Sequence, residues 1–178
     1  MSTQFIFAVE TNKSCNSDWI YIKSTIEHFY EYEPSQVKLS VVYMDGKGNY
    51  NSAKKEREIR SLISQYKSTA KNNRSAVIYC FDCDDYNSNP ETVNFLEAVK
   101  KYCDANDYEF VWFCRDVEEV YLGKSVENSK KKKEAAAFKI QKGITKINVS
   151  NLTRTKYQRY TSNIINVLGQ FKELKRKS

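Results

Sequence analysis

Histidine is nearly absent from this chain. The single His28 lies in a helical pattern beside Glu27, away from the acidic rims described below, which argues against Ser–His and Cys–His hydrolase chemistry. Glycine is also scarce, with five in 178 residues. Gly46-Lys-Gly48 lacks the Gly-x-x-x-x-Gly-Lys-Ser/Thr spacing of a P-loop. No apolar run approaches the ~18 residues a bilayer-spanning helix needs, so no membrane partner is expected. The opening residues, up to Phe5-Ile-Phe-Ala-Val9, are too short and uncharged for a secretory signal and read as a strand. Five cysteines are an odd number, and without such a signal they point to reduced thiols in the cytoplasm. Cys80-x-x-Cys83 has no second ligand pair at zinc-ribbon spacing, and Cys80 and Cys114 fall inside apolar runs as small core residues.

Aromatic residues, by contrast, are plentiful: 13 Tyr and 9 Phe, able to fill a core or to line a wet binding surface. The net charge of +7 is unevenly spread. Residues 1–123 carry 14 Lys/Arg against 19 Asp/Glu, a net of −5, and residues 124–178 carry 15 against 3, a net of +12. A basic tail alone needs only to be solvated. Attached to a body with phosphate chemistry of its own, it is the footprint of a protein that handles a polyanion. The length suits one domain, with a core over 1–123 and a basic extension over 124–178 packed on it or tethered to it.

Apolar runs at 4–9, 37–44, 76–81 and 108–114 read as strands, the second rich in β-branched residues. Between them, Trp19, Ile22, Ile26 and Phe29 define a helix over 17–32 that Pro34 ends. Ile59, Leu62, Ile63 and Tyr66 define a second over 53–70, and Pro90 opens a third over 91–106. A short helix follows at 116–122. Strands separated by helices of this length predict an α/β domain: one three-layer unit with a mainly parallel four-stranded central sheet flanked by helices. Past Gly123, residues 129–133 read as a lysine-rich connector and 134–140 as a helix. Leu152, Tyr157, Tyr160, Ile164, Leu168 and Phe171 predict a last helix over 151–174, capped by Asn151 or Thr153 and packed on the sheet.

In an open α/β sheet, ligands gather outside the carboxyl ends of the strands, and acids are placed there. Glu10 ends the first strand. Asp82, Asp84 and Asp85 follow the third, and Asp116, Glu118 and Glu119 follow the fourth. Asp82 and Asp84 are two apart, so extended geometry points them the same way and lets them share a hard cation. Mg²⁺ takes one or two carboxylates plus waters and phosphate oxygens, and a rim of like charges is costly without such an ion. Simpler roles compete at two positions. Asp85 fits an Asx-type turn, and Asp116-x-x-Glu119 has the spacing of a capping box. Among the aromatics of the extension, Tyr157, Tyr160 and Phe171 could stack on bases between Arg154, Lys156 and Arg159, although core packing explains most of them.

A Glu ending the first strand and an Asp-x-Asp after an apolar third strand resemble the Toprim fold of topoisomerases, primases and small nucleases. The chain is most similar to the RloB-like branch of bacterial and phage defence loci. Gly46-Lys-Gly-Asn49 resembles that branch's glycine-rich turn after the second strand, and Val117-Glu-Glu-Val-Tyr-Leu122 its segment after the fourth. The resemblance spans about Phe5 to Leu122. Two positions depart from it: Glu10-Thr11 stands where Glu-Gly is usual, and Cys114-Arg115-Asp116 replaces the usual Asn-Pro.

The resemblance implies a Mg²⁺- or Mn²⁺-dependent nuclease or phosphodiester-transfer hydrolase acting on DNA or RNA. Glu10 would be the general acid/base, Asp82 and Asp84 would bind the metal, Glu119 would serve a second metal or positioning, and Lys47 would approach the phosphate. Lys130, Lys131, Lys132, Lys133, Arg154, Lys156 and Arg159 would hold the nucleic-acid backbone. The alternative expectation is a non-catalytic Toprim-like module that contacts nucleic acid or a protein partner in a defence system.

Overall fold

The computed structural model describes residues 2–178. Its strands are β1 (Thr3–Val9), β2 (Tyr30–Glu31), β3 (Val37–Tyr43), β4 (Arg74–Asp82), β5 (Glu109–Cys114), β6 (Thr161–Ser162) and β7 (Lys175–Arg176). Its α-helices are α1 (Ser17–Phe29), α2 (Ala53–Thr69), α3 (Pro90–Ala105), α4 (Val117–Leu122), α5 (Lys131–Ile140) and α6 (Ile164–Leu168). The main sheet runs β3-β1-β4-β5-β6. All pairings are parallel except the last, where Phe113 and Cys114 face Ser162 and Thr161. The protein is therefore an α/β domain with a mainly parallel sheet of five strands, the fifth a two-residue edge. No helix among the described residues is long and apolar enough to cross a membrane.

The central strands read as continuous apolar runs because both faces are buried. Phe5, Phe7, Val9, Ile78, Cys80 and Phe113 face α1, α4 and α5, where Tyr21, Ile22, Ile26, Val120 and Phe138 meet them. Ile6, Ala8, Val77, Tyr79, Phe81 and Trp112 face α2 and α3, against Ile59, Leu96 and Val99. Each fully buried Phe, Ile or Leu contributes about 1.5–3 kcal/mol.

Helix starts follow the local chemistry. Ser52 accepts from Lys55 N–H at 3.3 Å to open α2, and Asn89 accepts from Glu91 N–H at 3.0 Å before Pro90 opens α3. Asp116 accepts from Glu119 N–H at 2.8 Å to cap α4, which ends at Gly123 with φ +68°. Asp85 accepts from Asn89 and Thr92 side chains and so braces the loop into α3.

The extension differs from its sequence reading. The helix expected over 151–174 is instead a 3₁₀ turn (Val149–Leu152), an irregular segment, β6, the short α6 and β7. Its apolar residues do reach the core, with Leu152, Ile164 and Leu168 fully buried. The open edge of β5 decides their backbone. Tyr160 N–H donates to Cys114 O, and Asn163 accepts from Trp112 N–H and donates to Phe110 O, both at 3.0 Å. Unpaired β5 groups buried there would cost more than a broken helix. The lysine-rich connector is helical from Lys131 onward, continuing into the predicted 134–140 helix. Tyr30 and Glu31, expected to continue the first helix, leave it to pair with β7.

Candidate functional site

Glu10, the residue after β1, turns its carboxyl onto the end of β4, where Oε1 accepts from Asp82 N–H at 2.8 Å. Asp82 in turn accepts from Val117 N–H at 3.0 Å, at the first turn of α4. Asp18, in the first turn of α1 and 5% exposed, accepts from Thr11 N–H at 3.2 Å. Glu118, on α4, is wholly buried and lies 3.0 Å from Lys131 Nζ at the start of α5. The two form a buried ion pair in which the Lys131 ammonium supplies the counter-charge of Glu118.

Four acids thus act on one another at this edge, with Lys131 against Glu118 and Lys47 acting on Glu10. Burial pushes Glu10 up to about 8, and Asp18 and Asp84 push the same way against the Asp82 N–H and Lys47. Burial, then repulsion from Glu10, Asp18 and Glu118, drives Asp82 well above the carboxylate range. Asp18 and Glu118 are raised, chiefly by burial. Burial opposes the Lys131 ammonium, but Glu118 and Asp82 beside it outweigh that and hold its pKa above the ordinary lysine value. A cavity of about 360 Å³ opens onto this edge, lined in part by Glu10, Asn12, Gly46, Asn128 and Lys131. A larger cavity, about 810 Å³, lies between α4 and α5 and is lined by neither Glu10 nor Asp82.

Of the residues expected to act together, Glu10 and Asp82 meet. Asp84 does not join them. The chain leaves extended geometry at Cys83, and Asp84 takes a left-handed backbone, φ 45°, with its N–H on Arg115 O at 2.7 Å. Its carboxylate then pairs with Lys47 Nζ at 2.5 Å, so Lys47 stands beside the edge as expected, its ammonium ion-paired there. Glu119 is also turned elsewhere. Arg159 donates to both its oxygens at 2.8 and 2.9 Å and Ser125 adds a third bond, which hold Glu119 down at about 2.

The basic residues divide in a way their spacing conceals. Lys130 pairs with Glu127, Lys131 points into the acid pocket, and Arg159 holds Glu119. Lys132, Lys133, Arg154 and Lys156 are exposed and form no ion pair among the described residues. Tyr157 packs on Trp112 with ring centroids 5.1 Å apart, and Phe171 on Phe5 at 4.9 Å. Tyr160 alone of the three is exposed, under the Arg159 guanidinium.

Asp18 was not expected at the site, Glu118 was expected only as one acid of the rim, and Lys131, expected to hold a nucleic-acid backbone, instead faces Glu118. Asp18 carried a faint signal as an acid in the first turn of a helix, where it is normally written off to the helix dipole.

No three His, Cys, Asp or Glu side chains among the described residues stand as a ready metal cage. The donor chemistry nonetheless suits a hard cation: oxygen ligands only, the Glu10 carboxyl set on the Asp82 backbone N–H, and open space beside Glu10. A hydrated Mg²⁺ or Mn²⁺ could be held there by Asp82, with Glu10 beside it, and not by a closed protein cage. No family model, curated protein or solved structure matches the chain.

Proposed function

We propose that this domain is a Mg²⁺- or Mn²⁺-dependent nuclease or phosphodiester-transfer enzyme of Toprim type, close to the RloB-like branch, working on cytoplasmic DNA or RNA in a defence or mobile-element system. One observation carries the reading. Glu10 and Asp82, 72 positions apart, meet at the carboxyl edge of a parallel sheet in a pocket with more acid than adjacent ammonium can neutralise.

A divalent ion there would neutralise phosphate charge and orient water. Asp82 would hold it, fixed by the Val117 N–H. Glu10, protonated near neutral pH when no ion is bound, moves a proton between its carboxyl and the reacting oxygen. Lys47, kept in place by Asp84, presents an ammonium to the phosphate. Lys132, Lys133, Arg154 and Lys156 supply backbone contacts.

The test is cleavage of single- and double-stranded DNA and RNA with EDTA, Mg²⁺ or Mn²⁺. Asp82→Asn retains the acceptor for Val117 N–H, so it should keep its melting temperature while losing Mn²⁺ binding and cleavage. Wild-type protein that leaves all four substrates intact with either ion overturns the proposal. The internal pairing of Asp84 with Lys47 and of Glu119 with Arg159 favours a second reading, a non-catalytic nucleic-acid or protein-binding module. Salt-sensitive binding unchanged by Asp82→Asn would be its signature.

A further inference from the structure

The cavity of about 810 Å³ between α4 and α5 takes no part in the acidic edge, and its volume lies within the range of about 300–1,000 Å³ that holds a small organic ligand. Val120, Phe138 and Ile147 give it an apolar side, and the amides of Gln141, Asn148 and Asn151 give it a polar one. Asn148 commits its Oδ1 to the Ser150 N–H at 3.0 Å, which leaves its NH₂ group as a donor. An apolar wall with a few amides suits a flat heteroaromatic ring that carries hydrogen-bonding groups at its edge. Both acids of the lining are already matched, Glu119 by Arg159 at 2.8 Å and Glu134 by Lys124 at 3.2 Å. Lys146, also in the lining, is exposed and forms no ion pair among the described residues, so the charge left over for a ligand is positive.

Tyr160 completes the lining. It is 38% exposed and has a left-handed backbone, φ 66°, a conformation that a bulky residue adopts only where its surroundings enforce it. Its N–H donates to Cys114 O, and the Arg159 guanidinium lies over its ring, 4.9 Å from the centroid. The ring is thus held in place without being buried, whereas Tyr157 and Phe171 are spent on Trp112 and Phe5. An unburied aromatic ring beside unpaired cations is a platform for a base.

We propose that this cavity takes one nucleotide of a single-stranded nucleic acid, its base stacked on Tyr160 and met at its edge by Gln141 and Asn151, its phosphate met by Lys146. A single strand is required because a base paired within a duplex has no free face to offer. Lys132 and Lys133 stand exposed on α5, which walls the cavity, and Arg154 stands exposed just past the 3₁₀ turn that carries Asn151, all three available to the phosphates of adjacent nucleotides. The site rests on the nucleic-acid side of the proposed function and needs neither metal nor cleavage.

The experiment is fluorescence anisotropy of a short labelled oligouridylate titrated in EDTA with the wild type, Tyr160→Phe, Tyr160→Ala and Ala137→Trp. Tyr160→Ala should weaken binding about tenfold, as expected for the loss of one stacked base, and Tyr160→Phe, which keeps the ring, should bind like the wild type. Ala137→Trp fills the cavity from α5 without touching a charge and should weaken binding to a similar degree. Affinity indifferent to both Tyr160→Ala and Ala137→Trp overturns the proposal, as does uridine monophosphate or a duplex that competes as well as the unlabelled strand. Should a variant fail to fold, nitration of the wild-type chain by tetranitromethane, mapped by peptide mass spectrometry, decides instead. Saturating oligouridylate should slow the nitration of Tyr160 about tenfold, and an unchanged rate overturns the proposal. A wild type that binds no strand sinks this site together with the nucleic-acid reading. Binding that ignores Tyr160 sinks the site alone, and absence of cleavage with Mg²⁺ or Mn²⁺ sinks only the activity.

Discussion

Replacing Glu10 by Gln keeps the side-chain oxygen that accepts from Asp82 N–H and removes only the ability to carry charge. Glu10 is raised from the ordinary 4.5 to about 8, first by burial. Between those values the unfolded chain has released this proton while the folded chain keeps it, so ν_N exceeds ν_U and stability falls as pH rises. The Glu10 contribution is fully present below 4.5 and is lost as pH rises through about 8. At about 1.4 kcal/mol per pH unit, a window about 3.5 wide would give nearly 5 kcal/mol for an isolated group. Glu10 keeps some contact with solvent and titrates together with Asp18 and Asp82, which reduces the expected difference to about 2–3 kcal/mol.

The assay is urea unfolding in EDTA at pH 5, 6, 7 and 8. The wild type should weaken steadily across the series. Glu10→Gln should weaken less, being close to the wild type at pH 5 and more stable at pH 8. Parallel pH profiles for the two proteins, or a Gln variant that is less stable at pH 8, would refute the placement of a buried, uncompensated carboxyl at this edge.

Gly143 makes a sharper packing prediction, because a Cβ there would lie 2.4 Å from the ring of Phe138. That ring is wedged between Tyr21 and Tyr121, with centroids at 5.0 and 5.8 Å. Gly143→Ala should therefore cost about 1–3 kcal/mol in urea unfolding. In a Phe138→Leu background the added cost should shrink to about 0.5 kcal/mol or less, since the two sites are in contact and couple. For nucleic acid, Lys132→Ala/Lys133→Ala should lower affinity for all sequences alike and reduce the log–log salt slope by about 1–2. A slope equal to that of the wild type would remove these lysines from the interface.

Local chemistry was legible in the sequence wherever a feature depends on neighbours a few positions away. The runs at 37–44 and 76–81 are strands because β-branched and aromatic residues suit a sheet buried on both faces. Pro90 opens a helix through its fixed φ, and Asp116 caps one through the N–H three residues on. The alternation of these elements was enough to define the α/β class and to bring Glu10 and Asp82 to one edge. The parts that depend on partners far along the chain were decided only in three dimensions. The apolar period over 151–174 correctly reported burial, but burial does not specify hydrogen bonding, and the exposed edge of β5 drew Thr161–Ser162 into a strand. Glu118 and Glu119 are indistinguishable by composition. One enters the acid pocket and the other meets Arg159, because a helix turns consecutive residues about 100° apart. Asp82 and Asp84 part company where the backbone abandons the extended form, a bend fixed by the Arg115 carbonyl across the sheet. Lys131 departs from its three lysine neighbours because α5 packs on α4, where Glu118 faces it. A side chain's charge is written in the sequence, but the charge it faces is set by how distant segments pack.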